Sequence, residues 1–443
     1  MDFAEAQRLL NAAQNESLSR RHPGRLDRMR RLLELLGDPQ RRFPSIHVGG
    51  TSGKGSTATM AAAMLHAAGY KVGLHTKPHL RSVTERACID GAAVSEERFA
   101  QLFERMLPAI DVMRGEDHGP PSYFELLVAL AFRYFADEHV DIAVIEVGIG
   151  GKLDGTNVLE PLVAVLTNVG TDHMDVLGDT VEAIALDKSG IIKAGIPVVT
   201  AAEHAGALQI IVDAAALRGA PLTHVRDSAR IEEIPGAAYE QRARISTRQA
   251  TYDIALPVLG EFQLLNAATA IVALEQIATA FPVPPSAVSS GLGSIALPGR
   301  MEYFPSRPAL LFDVAHNVEK AEALAGGLER HFPGRRLVIV AAAAEGKAFE
   351  KMLAAWASLP AHFIFTVFDV SHRNALAARR LAVEAEHLGL AARAVDDPVE
   401  ALGIARRMAR ADDVVVVTGS TFLVAQLREW FLDNAGKSTH ARV

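Results

Sequence analysis

Apolar positions three and four residues apart over 3–10 and 26–36 predict two amphipathic helices at the start of the chain. A short apolar run at 45–48 then breaks into a glycine-rich turn, and 58–68 reads as a helix. The alternation repeats. Residues 71–76 predict a second strand, 96–110 and 122–139 helices, 140–147 a buried strand that ends in the glycines of 148–151, and 162–167 another apolar strand. A strand at 197–200 and a helix at 207–218 continue the series, the pattern loosens toward β between 223 and 258, and 260–281 is strongly helical. Strands alternating with helices predict a doubly wound, mostly parallel sheet, a fold that places its ligands at the carboxyl ends of the strands.

Pro282, Pro284 and Pro285, followed by the turn Leu297-Pro298-Gly299-Arg300, mark a boundary. Beyond it a second α/β alternation begins, with strands expected at 309–313, 336–340, 362–367 and 413–418. The chain therefore reads as two domains, 1–296 and 297–443, in keeping with a length of 443 residues that exceeds what one core supports. With 49% hydrophobic and 22% charged residues the composition is that of an ordinary globular protein. A formal net charge of −7 argues against a nucleic-acid-binding or anionic-membrane surface and suits small anionic substrates better. Cys88 is the only cysteine, which excludes an intrachain disulfide and a cysteine-based zinc cluster. The charged, amphipathic first segment does not resemble an export signal, and no stretch approaches the roughly 18 apolar residues needed to cross a bilayer. A cytoplasmic location is expected.

The chemistry concentrates at strand ends. In the turn after the first strand, Gly50, Thr51, Ser52, Gly53, Lys54, Gly55, Ser56 and Thr57 form a phosphate cradle: glycines let backbone N–H groups turn inward, the following helix adds its dipole, Lys54 can reach terminal phosphates and Ser56 can hold Mg²⁺. Gly55 is an insertion between the lysine and the hydroxyl that the common P-loop lacks. A nucleoside triphosphate is the expected ligand. Glu146 ends a buried strand, and Thr171-Asp172-His173-Met174-Asp175 follows the next, so a carboxylate and an imidazole could join Ser56 around divalent ions. From spacing alone His173 and Asp172 read equally well as caps of the next helix. Lys188 reads either as a snorkelling surface residue or as a partly buried, modified or nucleophilic one. Asp313 and His316 stand just past a strand end of the second domain. Neither a Gly-x-Ser-x-Gly turn, a His-Glu-x-x-His helix nor a dinucleotide-binding glycine pattern is present, which leaves nucleotide-driven group transfer.

Taken together, these residues resemble the Mur ligase superfamily, and within it the folylpolyglutamate synthase and dihydrofolate synthase family, over nearly the whole length. The loop Gly50-Thr51-Ser52-Gly53-Lys54-Gly55-Ser56, with its inserted glycine, is similar to that family's Gly-Thr-Asn-Gly-Lys-Gly-Ser/Thr. In order follow Thr76-Lys77-Pro78-His79-Leu80 with Thr84-Glu85-Arg86, Tyr123-Phe124-Glu125, Glu146 to Gly151, Leu153-Asp154, Thr156-Asn157, Asp172-His173, Lys188-Ser189-Gly190-Ile191, Asn266-Ala267-Ala268, Leu297-Pro298-Gly299-Arg300 and Asp313-Val314-Ala315-His316-Asn317. The resemblance implies a P-loop ATPase-like N-terminal domain and a smaller Rossmann-like α/β glutamate-ligase domain. It also implies an ADP-forming ligase that phosphorylates a folate or dihydropteroate carboxylate with ATP and joins L-glutamate to it. Lys54, His173 and Lys188 would be catalytic. Ser56 and Glu146 would hold a first Mg²⁺, while His173 and a carbamylated Lys188 would hold a second ion, with Mn²⁺ acceptable there. Asn266, Arg300, Asp313 and His316 would join the loop in binding nucleotide. The implied partners are small molecules, with no nucleic acid, no membrane and a monomeric state. Departures from the pattern are Ser52, Lys77, Lys152, Gly155, Val318 and the segment 341–347, which lacks an expected Asp-Lys-Asp. They keep open a ligase acting on a non-folate carboxylate; a nucleotide switch without ligase chemistry is the remaining alternative.

Overall fold

The structure, a computed structural model, describes residues 1–13, 24–171, 177–236, 239–370 and 374–435. The chain divides into two compact units: 1–234, 242–255 and 264–295 form the first, and 235–241, 256–263 and 296–443 the second. Two short segments ahead of residue 296 thus cluster with the second unit.

The first unit is built on strands β1 (Ser45–Gly49), β2 (Val72–His75), β3 (Cys88–Ile89), β4 (Ala92–Ala93), β5 (Ile142–Glu146), β6 (Val163–Leu166), β7 (Val198–Thr200) and β8 (Leu222–His224). Their order is β4-β3-β2-β5-β1-β6-β7-β8. From β2 to β8 neighbouring strands are parallel, and only β3 and β4 turn back antiparallel at the edge. Every residue of β1, β5, β6 and β7 is buried, the pattern of strands covered by helices on both faces, which is why these segments read as unbroken apolar runs. The chain leaves β1 toward β2 and β5 on one side and later returns to β6 on the other. Such a reversal opens a crevice at the carboxyl end of β1, where the glycine loop lies.

Helices Phe3–Ala12, Arg25–Leu35, Glu96–Arg114 and Tyr123–Asp137 share one apolar cluster with residues of this sheet. Their starts are written in sequence: Asp2, Ser95 and Ser122 each accept a hydrogen bond from the first-turn backbone. Ser122 and Glu125 form a reciprocal capping box, and the Glu125 carboxylate is also gripped by the fully buried Arg28 through bonds of 2.8 and 3.0 Å. The β-like stretch becomes an antiparallel sheet of β9 (Arg230–Ile234), β10 (Gln241–Ser246) and β11 (Thr251–Leu256), with burial alternating along β10 and β11 as expected when one face meets water. Helices Phe262–Gln276 and Pro285–Gly293 complete the described elements of this region.

The second unit has strands β12 (Glu302–Phe304), β13 (Ala309–Phe312), β14 (Leu337–Ala341), β15 (Ala361–Phe365), β16 (Ala392–Ala394) and β17 (Val414–Thr418), in the order β12-β13-β17-β14-β15-β16. All pairings are parallel except β12 on β13. Trp356 is buried in its core and donates its indole N–H to Ala321 O at 3.2 Å. Both units have the α/β class expected from the alternation of strand and helix. The strands the pattern does not announce, β3, β4, β12 and β16, are two or three residues long, too short to display a period.

Candidate active site

Strand β1 delivers the chain into the loop at 50–53, and Gly53, at φ +81°, makes the left-handed turn that starts helix Lys54–Ala67. The loop is braced by the segment after β6. Thr51 N donates to Asn168 O and Ser52 N to Asn168 Oδ1, each at 2.8 Å, while Thr167 Oγ1 donates to Ser52 O at 2.7 Å. Thr51 Oγ1 exchanges bonds with the backbone of Gly170. Two ammonium groups then meet on one loop carbonyl: Lys54 Nζ donates to Gly50 O and Thr51 O at 3.0 Å, and Lys188 Nζ donates to Gly50 O at 2.8 Å. Lys188 is buried at the end of helix Val181–Lys188, so it does not snorkel at the surface. The hydrogen-bonded residues Thr167 and Asn168 carry no motif of their own; only their place after a strand end marks them.

Glu146, at the carboxyl end of β5, is buried, and its Oε2 accepts the Lys77 backbone N–H at 2.9 Å. A Cβ on Gly55 would stand 3.2 Å from the same oxygen, so the inserted glycine lets the start of the helix come up against this carboxylate. Ser56 follows, also buried. A hydroxyl and a carboxylate flanking a bare glycine are hard oxygen donors of the kind that hold Mg²⁺, an ion that takes few protein ligands and keeps several waters. Among the described residues no group of three or more His, Cys, Asp and Glu side chains gathers as a metal cluster. His173, with Asp172 and Asp175, lies outside the described residues.

Beside Glu146 lies a basic cluster. Arg86 Nε donates to His79 Nδ1 at 3.1 Å, and burial pulls the guanidinium pKa down against the opposing pull of Tyr123, Glu146 and Glu85. His75 donates from Nδ1 to Arg86 O at 2.7 Å; burial first, and the Arg86 charge second, lower its pKa to about 4, so it is neutral at physiological pH.

Asn266, on helix Phe262–Gln276, places its Oδ1 2.3 Å from where a Cβ of Gly53 would be. The structure therefore brings this residue to the loop, where glycine is the residue that fits. Arg300, Asp313 and His316 belong to the second unit and gather at the end of β13. Buried Asp313 accepts Met301 N on Oδ2 and Ala315 N on Oδ1, both at 2.8 Å. Burial raises its pKa, opposed by these two bonds and by the charges of Arg300 and Lys320. His316 donates from Nδ1 to Val314 O at 2.8 Å, which leaves Nε2 as acceptor facing Lys320 Nζ at 3.4 Å.

Two family patterns match the chain: the Mur ligase middle domain over residues 48–274 and the Mur ligase glutamate ligase domain over residues 299–421. Dihydrofolate synthase/folylpolyglutamate synthase of Bacillus subtilis is 34% identical over 411 residues, covering 92% of this chain and 94% of that protein. Among solved structures, Mycobacterium tuberculosis folylpolyglutamate synthase complexed with ADP superimposes with a TM-score of 0.89 at 31% identity, covering 97% of this chain and 98% of that one. Escherichia coli FolC in complex with DHPP and ADP does so with a TM-score of 0.86 at 29% identity, covering 98% and 99%.

Proposed function

The chain belongs to the Mur ligase family, in its folylpolyglutamate synthase and dihydrofolate synthase branch, and from that premise we propose that it joins L-glutamate to the carboxylate of a folate or of dihydropteroate at the expense of ATP. The acceptor carboxylate takes the terminal phosphoryl group of ATP, giving an acyl phosphate and ADP. The glutamate amine then attacks the acyl carbon, phosphate leaves, the amine loses a proton and an amide remains. Lys54, held over the loop by two carbonyls, stabilises charge on the group in transfer. The loop N–H groups and Asn266 orient the nucleotide; by the family resemblance Arg300, Asp313 and His316, grouped at the end of β13, are nucleotide-binding residues as well. Ser56 and Glu146 would hold one Mg²⁺, and His173 with a carbamylated Lys188 a second ion, Mn²⁺ being accepted there. Bound metal supplies neutralisation of phosphate charge. A monomeric, cytoplasmic enzyme completes the proposal.

The observation that carries this reading beyond nucleotide binding is the buried Lys188, whose ammonium reaches Gly50 O inside the cradle. A nucleotide switch has no use for a second buried lysine there. Steady-state ADP release tests it: release that requires both glutamate and a folate or pteroate supports the ligase, and release indifferent to glutamate contradicts it.

Lys77 favours a second reading of acceptor choice. Its backbone N–H donates to Glu146, and its side chain is cationic where the family pattern has a small serine. A ligase selecting a more anionic, non-folate carboxylate follows from this; efficient use of folate beside inert alternatives would remove it.

A further inference from the structure

His47 lies in the middle of β1, wholly buried, three residues before the cradle begins. Its Nε2 is 2.8 Å from Thr156 Oγ1, and the Thr156 hydroxyl donates to Asp154 Oδ1 at 2.5 Å. With that proton committed to the carboxylate, the imidazole must be the donor to Thr156, so it carries its hydrogen on Nε2. Nδ1 is left without a partner among the described residues. Burial, reinforced by the charge of Lys193, lowers the His47 pKa to about 3, so this donor stays neutral at physiological pH.

The chain of bonds continues beyond Asp154. Its Oδ1 also accepts Thr156 N at 3.0 Å, and its Oδ2 accepts Ile149 N at 2.9 Å, in the turn that follows Glu146. That turn is packed onto the segment carrying Lys188. A Cβ on Gly151 would meet Lys188 O at 2.7 Å and Lys188 Cα at 2.8 Å, and Lys152 N donates to Asp187 O at 2.9 Å. Asn157, next to Thr156, fastens the other side by donating to both Lys152 O and Gly190 O at 3.1 Å. The short turn Gly155–Val158 therefore hangs from the His47 imidazole and bonds the chain just after Lys188 directly, through Gly190, while it holds Lys152, which bonds Asp187 just before Lys188.

We propose that His47 is a positioning residue for the phosphoryl-transfer site: acting through Thr156 and Asp154, it fixes the turn at 149–152 and so the placement of Lys188 and Glu146 about the cradle. The inference rests on the ligase reading for its functional consequence, though the bond network stands independently of it. It does not touch substrate; its effect is on how well the metal-binding groups are held, and supporting residues of that kind are worth 10–100-fold in metal affinity.

The test compares wild type with His47→Leu, His47→Gln and Thr156→Val. Glutamine presents an amide N–H near the Nε2 position; leucine and valine remove the donor and the relay hydroxyl. Hydrogen–deuterium exchange of the 148–152 segment is read in the metal-free protein, and the Mg²⁺ concentration for half-maximal glutamate-dependent ADP release is read alongside. The expected result is faster exchange at Ile149 and a ~10-fold or larger rise in Mg²⁺ requirement for His47→Leu and Thr156→Val, with both values restored toward wild type in His47→Gln. Folded His47→Leu and Thr156→Val proteins with wild-type exchange and Mg²⁺ requirement would overturn the proposal, as would a His47→Gln protein as impaired as His47→Leu. If His47→Leu does not fold, Thr156→Val decides. A wild-type protein with no glutamate-dependent ADP release overturns the ligase reading, and the exchange comparison still decides for or against the relay.

Discussion

Gly55 comes so near Glu146 that a methyl group at residue 55 would stand 3.2 Å from the carboxylate Oε2. The extra glycine between Lys54 and Ser56 thus has a spatial reason: it brings the helix start against the buried acid that would share Mg²⁺ with Ser56. Gly55→Ala forces the carboxylate to give way by a few tenths of an ångström. The expected result is a roughly 10-fold higher Mg²⁺ requirement with little change in thermal unfolding, read from Mg²⁺ titrations of ADP release.

Lys54→Ala should lower turnover by at least ~10²-fold, because an electrostatic stabiliser of the transferring group is lost from a preorganised site. Single-turnover measurement of ADP formation at saturating ATP checks this. Near-normal rates would remove Lys54 from the chemistry.

Lys188→Ala removes both the bond to Gly50 O and the amine that would carry a carbamate. Activity should fall and return in part on addition of short carboxylates. Rescue by amines instead would contradict a carbamate and point to the ammonium itself.

Much of this site is local in sequence, and that part is legible there. The loop 50–57 declares itself through glycines between a buried strand and a helix, and Glu146 through its place at the end of an unbroken apolar run. What sequence pattern does not give is which distant groups close on the loop. Lys188 reaches Gly50 across 138 positions, and Asn168 braces Ser52 across 116, pairings set by the strand order β5-β1-β6 and not by periodicity. His47 is the clearest omission: inside a strand it reads as one polar residue among apolar neighbours, and only the fold supplies Thr156 opposite it. Asn266 and Arg300 are legible only by family resemblance, whereas Asp313 and His316 also stand out by their place just past a strand end. The structure brings Asn266 to Gly53 and groups the other three in the second unit.

Acid stability should report the two buried histidines. Unfolded, each titrates near 6.5; folded, His47 is lowered to about 3 and His75 to about 4. Between those values the unfolded chain binds protons that the folded one does not, so this contribution is fully present above pH 6.5 and is lost as pH falls toward 4 and then 3. The loss is on the order of 3–5 kcal/mol for each histidine once the pH is below its folded value. Urea midpoints measured between pH 7 and pH 5 should fall more steeply for wild type than for the double variant His47→Gln/His75→Asn, and parallel curves would contradict the assignment.

The most direct measurement is mass spectrometry of the product after incubation with ATP, Mg²⁺ and L-glutamate, with dihydropteroate and tetrahydrofolate offered separately. At least one acceptor is expected to gain the mass of one glutamyl unit, with ADP formed in equal amount. No glutamylated product from either acceptor, in a protein that still binds ATP, would contradict the ligase reading.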